Sequence, residues 1–305
     1  MSFEVRAGES FRESTRRIVR EQLSGALDAL GNKEASSLDE RVHSVRKSFK
    51  RIRALLRLVR CAVSDPFFQA ENESFRDAGR PLAEVRDAKV LIEALEALRA
   101  KSDTGREAAF AAAKELLVER QDALRGRVLN EGGAWAATEC AVKKALAQLD
   151  KDKWNKVSNS PKKISLGLKA VYRSGRKAFA RATDDPSVEN LHEWRKQVKH
   201  LRHGLELLAP ARPKTFVELA RQADELGELL GLDHDLAVLN ATLLSDESDV
   251  VTGALEPLIK EQREQLQAEA RDRGGFLYRQ NAKKFVRGLK SRLNRWRRES
   301  AALVD

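Results

Sequence analysis

The sequence predicts an all-α protein, and three observations carry that expectation. Ala, Leu, Arg, Lys and Glu dominate the 305 residues, and these side chains lose little on entering a helix. Only 7 Pro and 17 Gly punctuate the chain, too few for a fold of many short strands and turns. Apolar residues recur at helical spacing almost throughout. With 42% hydrophobic residues the chain can bury a sizeable core, which excludes a disordered basic tail, and its length fits one large domain or two of about 150 residues.

In chain order, the pattern places a helix over 8–30, a second over 38–62 and a third over 67–99. The third should kink at Arg80-Pro81, where Pro removes a backbone donor. A fourth spans 104–129, and after Gly132-Gly133 a shorter one runs to residue 149. The polar stretch 150–161 then reads as a linker at the midpoint. Beyond it helices are expected over 161–183, 186–209, 213–244, 252–273 and 275–299. Several open on Pro, whose fixed φ suits a first turn. These breaks divide the chain into an N-terminal helical repeat, 1–150, and a C-terminal one, 151–305.

No apolar run approaches the roughly 18 residues of a membrane span, and Met1-Ser2-Phe3-Glu4-Val5-Arg6 is not an apolar leader. The expectation is a cytoplasmic protein with no membrane span. Cys61 and Cys140 lie 79 residues apart without a CxxC pattern, so they read as buried small hydrophobes, not as a disulfide or zinc site.

The net charge of +11 is segregated. Residues 41–60, 172–181 and 279–298 hold 8, 4 and 9 Lys or Arg and no acid, so these 50 residues carry +21 and the other 255 carry −10. Such clustering needs solvent on every charge or a polyanion that neutralises them together.

The segregation coincides with a repeat. Val42-His43-Ser44-Val45-Arg46-Lys47-Ser48-Phe49-Lys50-Arg51-Ile52-Arg53 aligns without gaps to residues 191–202, which share the pattern apolar-His-x-apolar-Arg-Lys-x-apolar-Lys-x-apolar-Arg at an offset of 149. A second echo follows: 82–91, containing Arg86-Asp87, aligns to 230–239, containing His234-Asp235, at an offset of 148. The chain reads as an internal duplication. On a helix, His43, Arg46, Lys47, Lys50, Arg53 and Arg57 share an arc of about 120°. Val42, Val45, Phe49, Ile52, Leu56 and Val59 fill the opposite side. The second copy does the same with Leu191, Trp194, Val198, Leu201 and Leu205 inward. Each helix is a cation ladder with a packing back. Like charges at i,i+4, such as Arg46 with Lys50, cost a few tenths of a kcal/mol unless an anion bridges them. Mixed Arg forks and flexible Lys suit phosphate oxygens.

His43 and His192 head the two ladders, where neighbouring cations should lower the imidazole pKa and leave a neutral hydrogen-bonding group. A structural hydrogen bond and a donor role toward an anion both fit. No HxxxH, HExxH or nearby Cys completes a metal site, so none is expected. His200, His203 and His234 lack counterparts and read as surface or incidental. No Gly-rich phosphate loop, GxSxG or paired-carboxylate motif supports catalysis, and no cofactor is expected. Asp87 and Asp235 read as partners for a ladder Arg or the His.

The duplicated His-led signature, each copy followed by an Arg-Asp or His-Asp helix, resembles the CHAD family, named for a histidine-containing α-helical domain. Tyr172-Arg173-Ser174-Gly175-Arg176-Lys177 is similar to that family's second half, and the resemblance covers about residues 8–298. It implies two pseudo-symmetric antiparallel helical bundles around a basic central groove or pore that binds inorganic polyphosphate without catalysis, and association with polyphosphate granules. The ligand surface implied is His43, Arg46, Lys47, Lys50, Arg53 and Arg57, faced by His192, Arg195, Lys196, Lys199 and Arg202, with Arg173 and Arg176. Lys283, Lys284, Arg287 and Lys290 are expected to extend it, while Phe285, Val286, Leu289, Leu293 and Trp296 pack. Glu206 stands where the first copy has Arg57, so the second ladder should end one step earlier. No ExExK pattern of the fused CYTH domain occurs, which implies a stand-alone binder. Other polyanions are candidate partners. A nucleic-acid-binding helical protein would explain the charge but not the histidine-led duplication, and 4 Trp and 2 Tyr limit base stacking. An enzyme or accessory subunit acting on polyphosphate or nucleotides is the third class, for which the sequence offers no defensible nucleophile or metal carboxylate cluster.

Overall fold

Helix starts follow local chemistry. The computed structural model describes residues 3–31, 37–80, 82–102, 105–126, 133–150, 153–245 and 249–301, and among these there is no strand. The helices are α1 (Phe11–Gly31), α2 (Leu38–Leu58), α3 (Asp65–Gly79), α4 (Ala83–Arg99), α5 (Glu107–Gly126) and α6 (Ala134–Asp150). They continue as α7 (Pro161–Asp184), α8 (Val188–Leu207), α9 (Pro213–Leu244), α10 (Asp249–Leu277), α11 (Ala282–Phe285) and α12 (Leu289–Ala301). Ser37 caps α2 in a reciprocal box: its hydroxyl accepts from the Glu40 N–H, and Glu40 accepts from the Ser37 N–H at 2.9 Å. Ser187 caps α8 by accepting from the Asn190 N–H. The two ladder helices therefore begin on hydroxyl caps.

The packing faces are where the sequence puts them. Val42, Val45, Phe49, Ile52, Leu56 and Val59 are buried on α2, as are Leu191, Trp194, Val198, Leu201 and Leu205 on α8. They join a main core shared by α1, α2, α6, α7 and α8. A second cluster is built from Leu91, Leu95 and Leu98 of α4, Phe110 and Leu117 of α5, Leu236, Leu239 and Leu243 of α9, and Leu255 and Ile259 of α10. Both clusters draw on helices from before and after residue 150.

Several boundaries differ from expectation. The helix expected over 67–99 is two, α3 and α4. The expected break at 274 does not occur, because α10 runs through Gly274-Gly275 to Leu277. Gly274 is a packing residue: a Cβ there would lie 2.6 Å from Trp194 and 2.7 Å from Phe179. The chain turns only after Leu277, where the Tyr172 hydroxyl donates toward the carbonyls of Leu277 and Gln280 at 3.1 and 3.0 Å, satisfying acceptors at the helix end. The expected linker is also packed. Residues Lys153–Lys156 form a 3₁₀ turn, Trp154 is buried against Phe67 with ring centroids 5.2 Å apart, and Arg12 donates to the Val157 carbonyl at 3.1 Å. Polar residues there hydrogen-bond α1; they do not solvate a tether. Cys61 and Cys140 are exposed free thiols, not buried hydrophobes. Pro81, the expected helix ends at 104 and 129, Gly132 and residues 151–152 lie outside the described residues. Among the described residues no helix is long and apolar enough to cross a membrane.

Contact between α2 and α7 depends on one missing side chain. A Cβ on Gly167 would sit 1.8 Å from the Leu58 carbonyl oxygen, and backbone cannot step aside as a flexible side chain can. Gly167→Ala should therefore destabilise by about 1–3 kcal/mol in urea unfolding. Gly204→Ala, whose methyl would meet only the side-chain ends of Leu168 at 3.4 Å and Leu58 at 4.0 Å, should be within about 1 kcal/mol of wild type.

Candidate functional site

The helices carrying the repeated motifs close a ring: α2 packs on α4 and α8, and α9 packs on the same two. The ladders consequently confront each other. Lys50 of α2, Arg86 and Asp87 of α4, Arg195 and Lys199 of α8, and Asp235 of α9 act on one another electrostatically. Asp87 pairs with Arg46 at 3.3 Å and Asp235 with Arg195 at 3.8 Å, the ladder-Arg role the sequence suggests for both acids. The Leu82 carbonyl also accepts from Arg46 at 3.2 Å. Gly231 lets the Arg195 guanidinium approach α9, since a Cβ there would lie 3.3 Å from its Nη2.

The carboxylates engage the arginines and leave the lysines. Among the described residues neither Lys50 nor Lys199 lies in an ion pair. Loss of solvation, then Arg46 and Arg195 nearby, push Lys50 down to about 8. Loss of solvation, then Arg195 and Lys50, push Lys199 down to about 7. Lys50 is exposed, yet neighbouring protein takes part of its solvation away. Asp235 is pushed up by burial, against the pull of Arg195 and Lys199.

Three imidazoles flank these cations. Burial lowers the His43 pKa, with Arg86 and Lys47 adding to it. Burial likewise lowers His192, assisted by Lys196 and Arg195. The lowered pKa expected of both holds, although desolvation outweighs the cations. His192 packs on His234 with centroids 4.4 Å apart, and His234 is held at about 4 by burial and by His192. All three are neutral at pH 7 and can donate from one ring nitrogen. Among the described residues no group of three or more His, Cys, Asp or Glu is arranged to hold a metal ion.

Toward the helix C-termini the two ladders diverge. Asn72 accepts from Arg53 at 3.1 Å and from Arg57 at 3.3 Å, and His200 accepts from the Arg57 Nε–H at 3.0 Å, so their hydrogen-bond partners among the described residues are neutral, with Asp77 and Glu193 acting on them only through space. On α8, by contrast, Arg202 donates to Glu206 at 2.8 Å and pairs with Asp224, while Lys196 pairs with Glu193.

The CHAD domain sequence profile matches residues 21–244 of the chain, which include both ladders and both acidic echoes. The chain belongs to the CHAD domain family. A solved structure agrees in fold: the crystal structure of the CHAD domain from the plant Ricinus communis is 18% identical, with 95% of each chain covered and a TM-score of 0.62. No curated protein matches the sequence.

Within this CHAD domain the remaining sequence-predicted cations gather elsewhere. Arg173 and Arg176 are exposed on α7, Arg176 and Arg279 lie beside Tyr172, and α11 and α12 pack on α7. Lys283, Lys284, Arg287 and Lys290 are exposed on that α11–α12 segment, while Phe285, Leu289 and Leu293 are buried beneath it. A pocket lined by Tyr172, Lys214, Arg279 and Phe285 opens there. Lys47, at the ladder's edge, is exposed.

Three histidines read as surface or incidental are half-buried and engaged. His200 receives the Arg57 hydrogen bond, and burial holds its pKa well below the ordinary value. His203 bonds Glu206 at 2.9 Å and meets Phe3 edge to face. His234 stacks on His192. Arg86 and Asn72 join the site without belonging to either ladder. The alignment of Arg86 with His234 was the available signal, since both positions are basic and precede the paired Asp.

Glu206 organises the acidic end of α8. Burial alone would raise its pKa, but hydrogen bonds from His203 and Arg202 outweigh this and hold it at about 2. A carboxyl held below its ordinary 4.5 contributes stability that is present above that value and lost as pH falls toward 2. Glu206→Gln should cost about 1–3 kcal/mol at pH 7, and the gap from wild type in urea unfolding should narrow from pH 4.5 downward.

Proposed function

We propose that this CHAD domain binds inorganic polyphosphate, without turning it over, in the cleft ringed by α2, α4, α8 and α9. The family is associated with polyphosphate binding in general. The observation that carries the reading is the opposition of Lys50 and Lys199 with no carboxylate of their own, while Asp87 and Asp235 orient Arg46 and Arg195. Two facing ammonium groups in a poorly solvated cleft are costly unless counter-charge comes from outside. A chain of phosphates supplies it repeatedly along ladders of roughly 20 Å. Arg forks fix oxygens, lysines adapt, and neutral His43 and His192 can donate without repelling the cations. The matched Arg46–Asp87 and Arg195–Asp235 pairs support an origin of 1–150 and 151–305 by duplication, giving two related halves about one basic site.

Lys50→Glu combined with Lys199→Glu should abolish retention of long-chain polyphosphate while circular dichroism shows unchanged helicity. Undiminished binding by the folded double variant removes the cleft as the site. Retention should also fall steeply with salt, and at matched salt polyphosphate should displace RNA or DNA; the reverse preference would make this a nucleic-acid binder.

The lysines give binding a defined pH dependence. A bound polyanion favours the charged amines and raises both pKa values above their free positions near 7 and 8. Affinity should be full below about pH 7 and fall as pH rises through 8, by up to about tenfold per unit for each lysine. Calorimetric titration in buffers of different ionisation enthalpy should register proton uptake on binding between pH 7 and 9.

A further inference from the structure

A second set of cations surrounds a cavity that the cleft does not use. Arg176 of α7, Lys214 of α9, Arg279, and Lys283 and Lys284 of α11 are exposed, and among the described residues none of them lies in an ion pair. Lys214 and Arg279 line a cavity of about 230 Å³ whose other walls are largely aromatic. Tyr172 and Phe285 stack there with ring centroids 3.8 Å apart. Phe276 lines the same cavity and is 70% exposed, and among the described residues no large apolar side chain is more exposed. We propose that this cavity is a binding site for a nucleoside phosphate, which seats its base against Phe276 and leaves its phosphates among Lys214, Arg279 and the α11 lysines. Lys214 lies 21 residues before Asp235, about 30 Å along α9, and none of these residues belongs to α2, α4 or α8. The inference therefore stands apart from the polyphosphate reading.

Size, lining and charge each narrow the occupant. An apolar cavity of about 150 Å³ accommodates a benzene ring, so one of about 230 Å³ takes a single heterocycle with its polar edge and leaves a phosphorylated ribose at the mouth. Inorganic polyphosphate has no apolar surface to bury against Phe276 and Phe285. A nucleobase has, and every base presents a face on which an aromatic side chain can stack. A single-strand reader stacks successive bases on a row of aromatics, whereas one ring-sized cavity takes one base. Glu218 is the acid in the lining, and its oxygens are occupied. Arg221 donates to both, at 2.7 and 3.0 Å, and Gln222 donates at 2.8 Å. Lys214 and Arg279 are thereby left to an incoming anion, whose phosphate oxygens both can bind. The wall that carries Arg279 is also fixed in place, because the Tyr172 hydroxyl donates toward the carbonyls of Leu277 and Gln280 on either side of it.

The test titrates ATP, adenosine and inorganic tripolyphosphate into the full chain by calorimetry, in wild type and in Lys50→Glu combined with Lys199→Glu, where the cleft no longer contributes. In the double variant ATP should bind about tenfold or more tighter than either fragment. Phe276→Ala, at an exposed position, should weaken ATP about tenfold and leave retention of long-chain polyphosphate unchanged. Lys214→Glu with Arg279→Glu should weaken ATP by at least as much. Azido-ATP irradiated with wild type should label the peptides carrying Lys214 or Phe276. Absence of ATP binding to wild type at millimolar concentration overturns the proposal, as does an ATP affinity that Phe276→Ala leaves unchanged. Equal affinities for ATP and tripolyphosphate in the double variant overturn it by removing the ring from recognition, and labelling confined to α2 and α8 overturns it by moving the nucleotide to the cleft. An oligothymidylate that binds through Phe276 more tightly than ATP overturns it in favour of a nucleic-acid strand. ATP bound through Phe276 by a chain that never retains polyphosphate supports this inference and removes only the polyphosphate reading.

Discussion

Holding like charges face to face is the constraint on which the rest of the structure depends. The cationic faces of α2 and α8 would separate if they were hinged on flexible loops, because Lys50 and Lys199 between them are crowded by protein and lie in no ion pair among the described residues. The apolar backs prevent separation. Val45, Ile52 and Leu56 on one helix and Trp194, Val198 and Leu205 on the other are buried in one core. Each such side chain contributes about 1.5–3 kcal/mol of burial, against a few tenths for each repulsive i,i+4 pair. Close packing makes the opposition rigid as well as tolerable. At Gly167 and Gly274 neighbouring groups occupy the space a Cβ would need, so the helices carrying the cations have little freedom to relax apart.

Where carboxylates are placed decides which cations remain available. Asp87 and Asp235 face arginines, whose planar forks can bind a carboxylate and still present further N–H groups to a ligand. The lysines, point charges with nothing further to offer once paired, are left free. On α8 the logic reverses twice: Glu193 binds Lys196 in the first half of the helix, and Glu206 and Asp224 bind Arg202 and His203 at its far end. Arg53 and Arg57 of α2 meet only the neutral Asn72 and His200 among their hydrogen-bond partners. The two ladders therefore match in their Arg–Asp pairs and differ elsewhere, because acids hold Lys196 and Arg202 of α8 while the equivalent Lys47 and Arg53 of α2 are in no ion pair among the described residues.

The middle of the site was legible in the sequence and its end was not, for the same reason. Residues three and four apart on one helix share a face, so His43, Arg46, Lys50 and their copies could be grouped from spacing alone. The matched offsets of 149 and 148 residues then linked each ladder to its acid. Partners contributed across helices without a repeat, such as His200 to Arg57, Asn72 to Arg53 and Asp224 to Arg202, leave no periodic trace. Helix boundaries failed similarly. Gly274-Gly275 has the composition of a break, yet in context the first glycine makes room for Trp194 and Phe179. The polar 150–161 stretch has the composition of a linker, yet one tryptophan fixes it to the core. In both cases tertiary packing overrode a local signal that was real.

The charge segregation gains a physical meaning from this arrangement. A chain of +11 spread evenly would attract any polyanion to any face. Here the residues outside the three basic stretches carry −10, and cations within the cleft are concentrated where solvation is poor. Low solvation strengthens attraction for an anion that enters and sheds water, and the acidic remainder weakens attraction for one that lies on the outside. On the proposed reading, preference among polyanions would come from this one charge pattern and the desolvation of its cations.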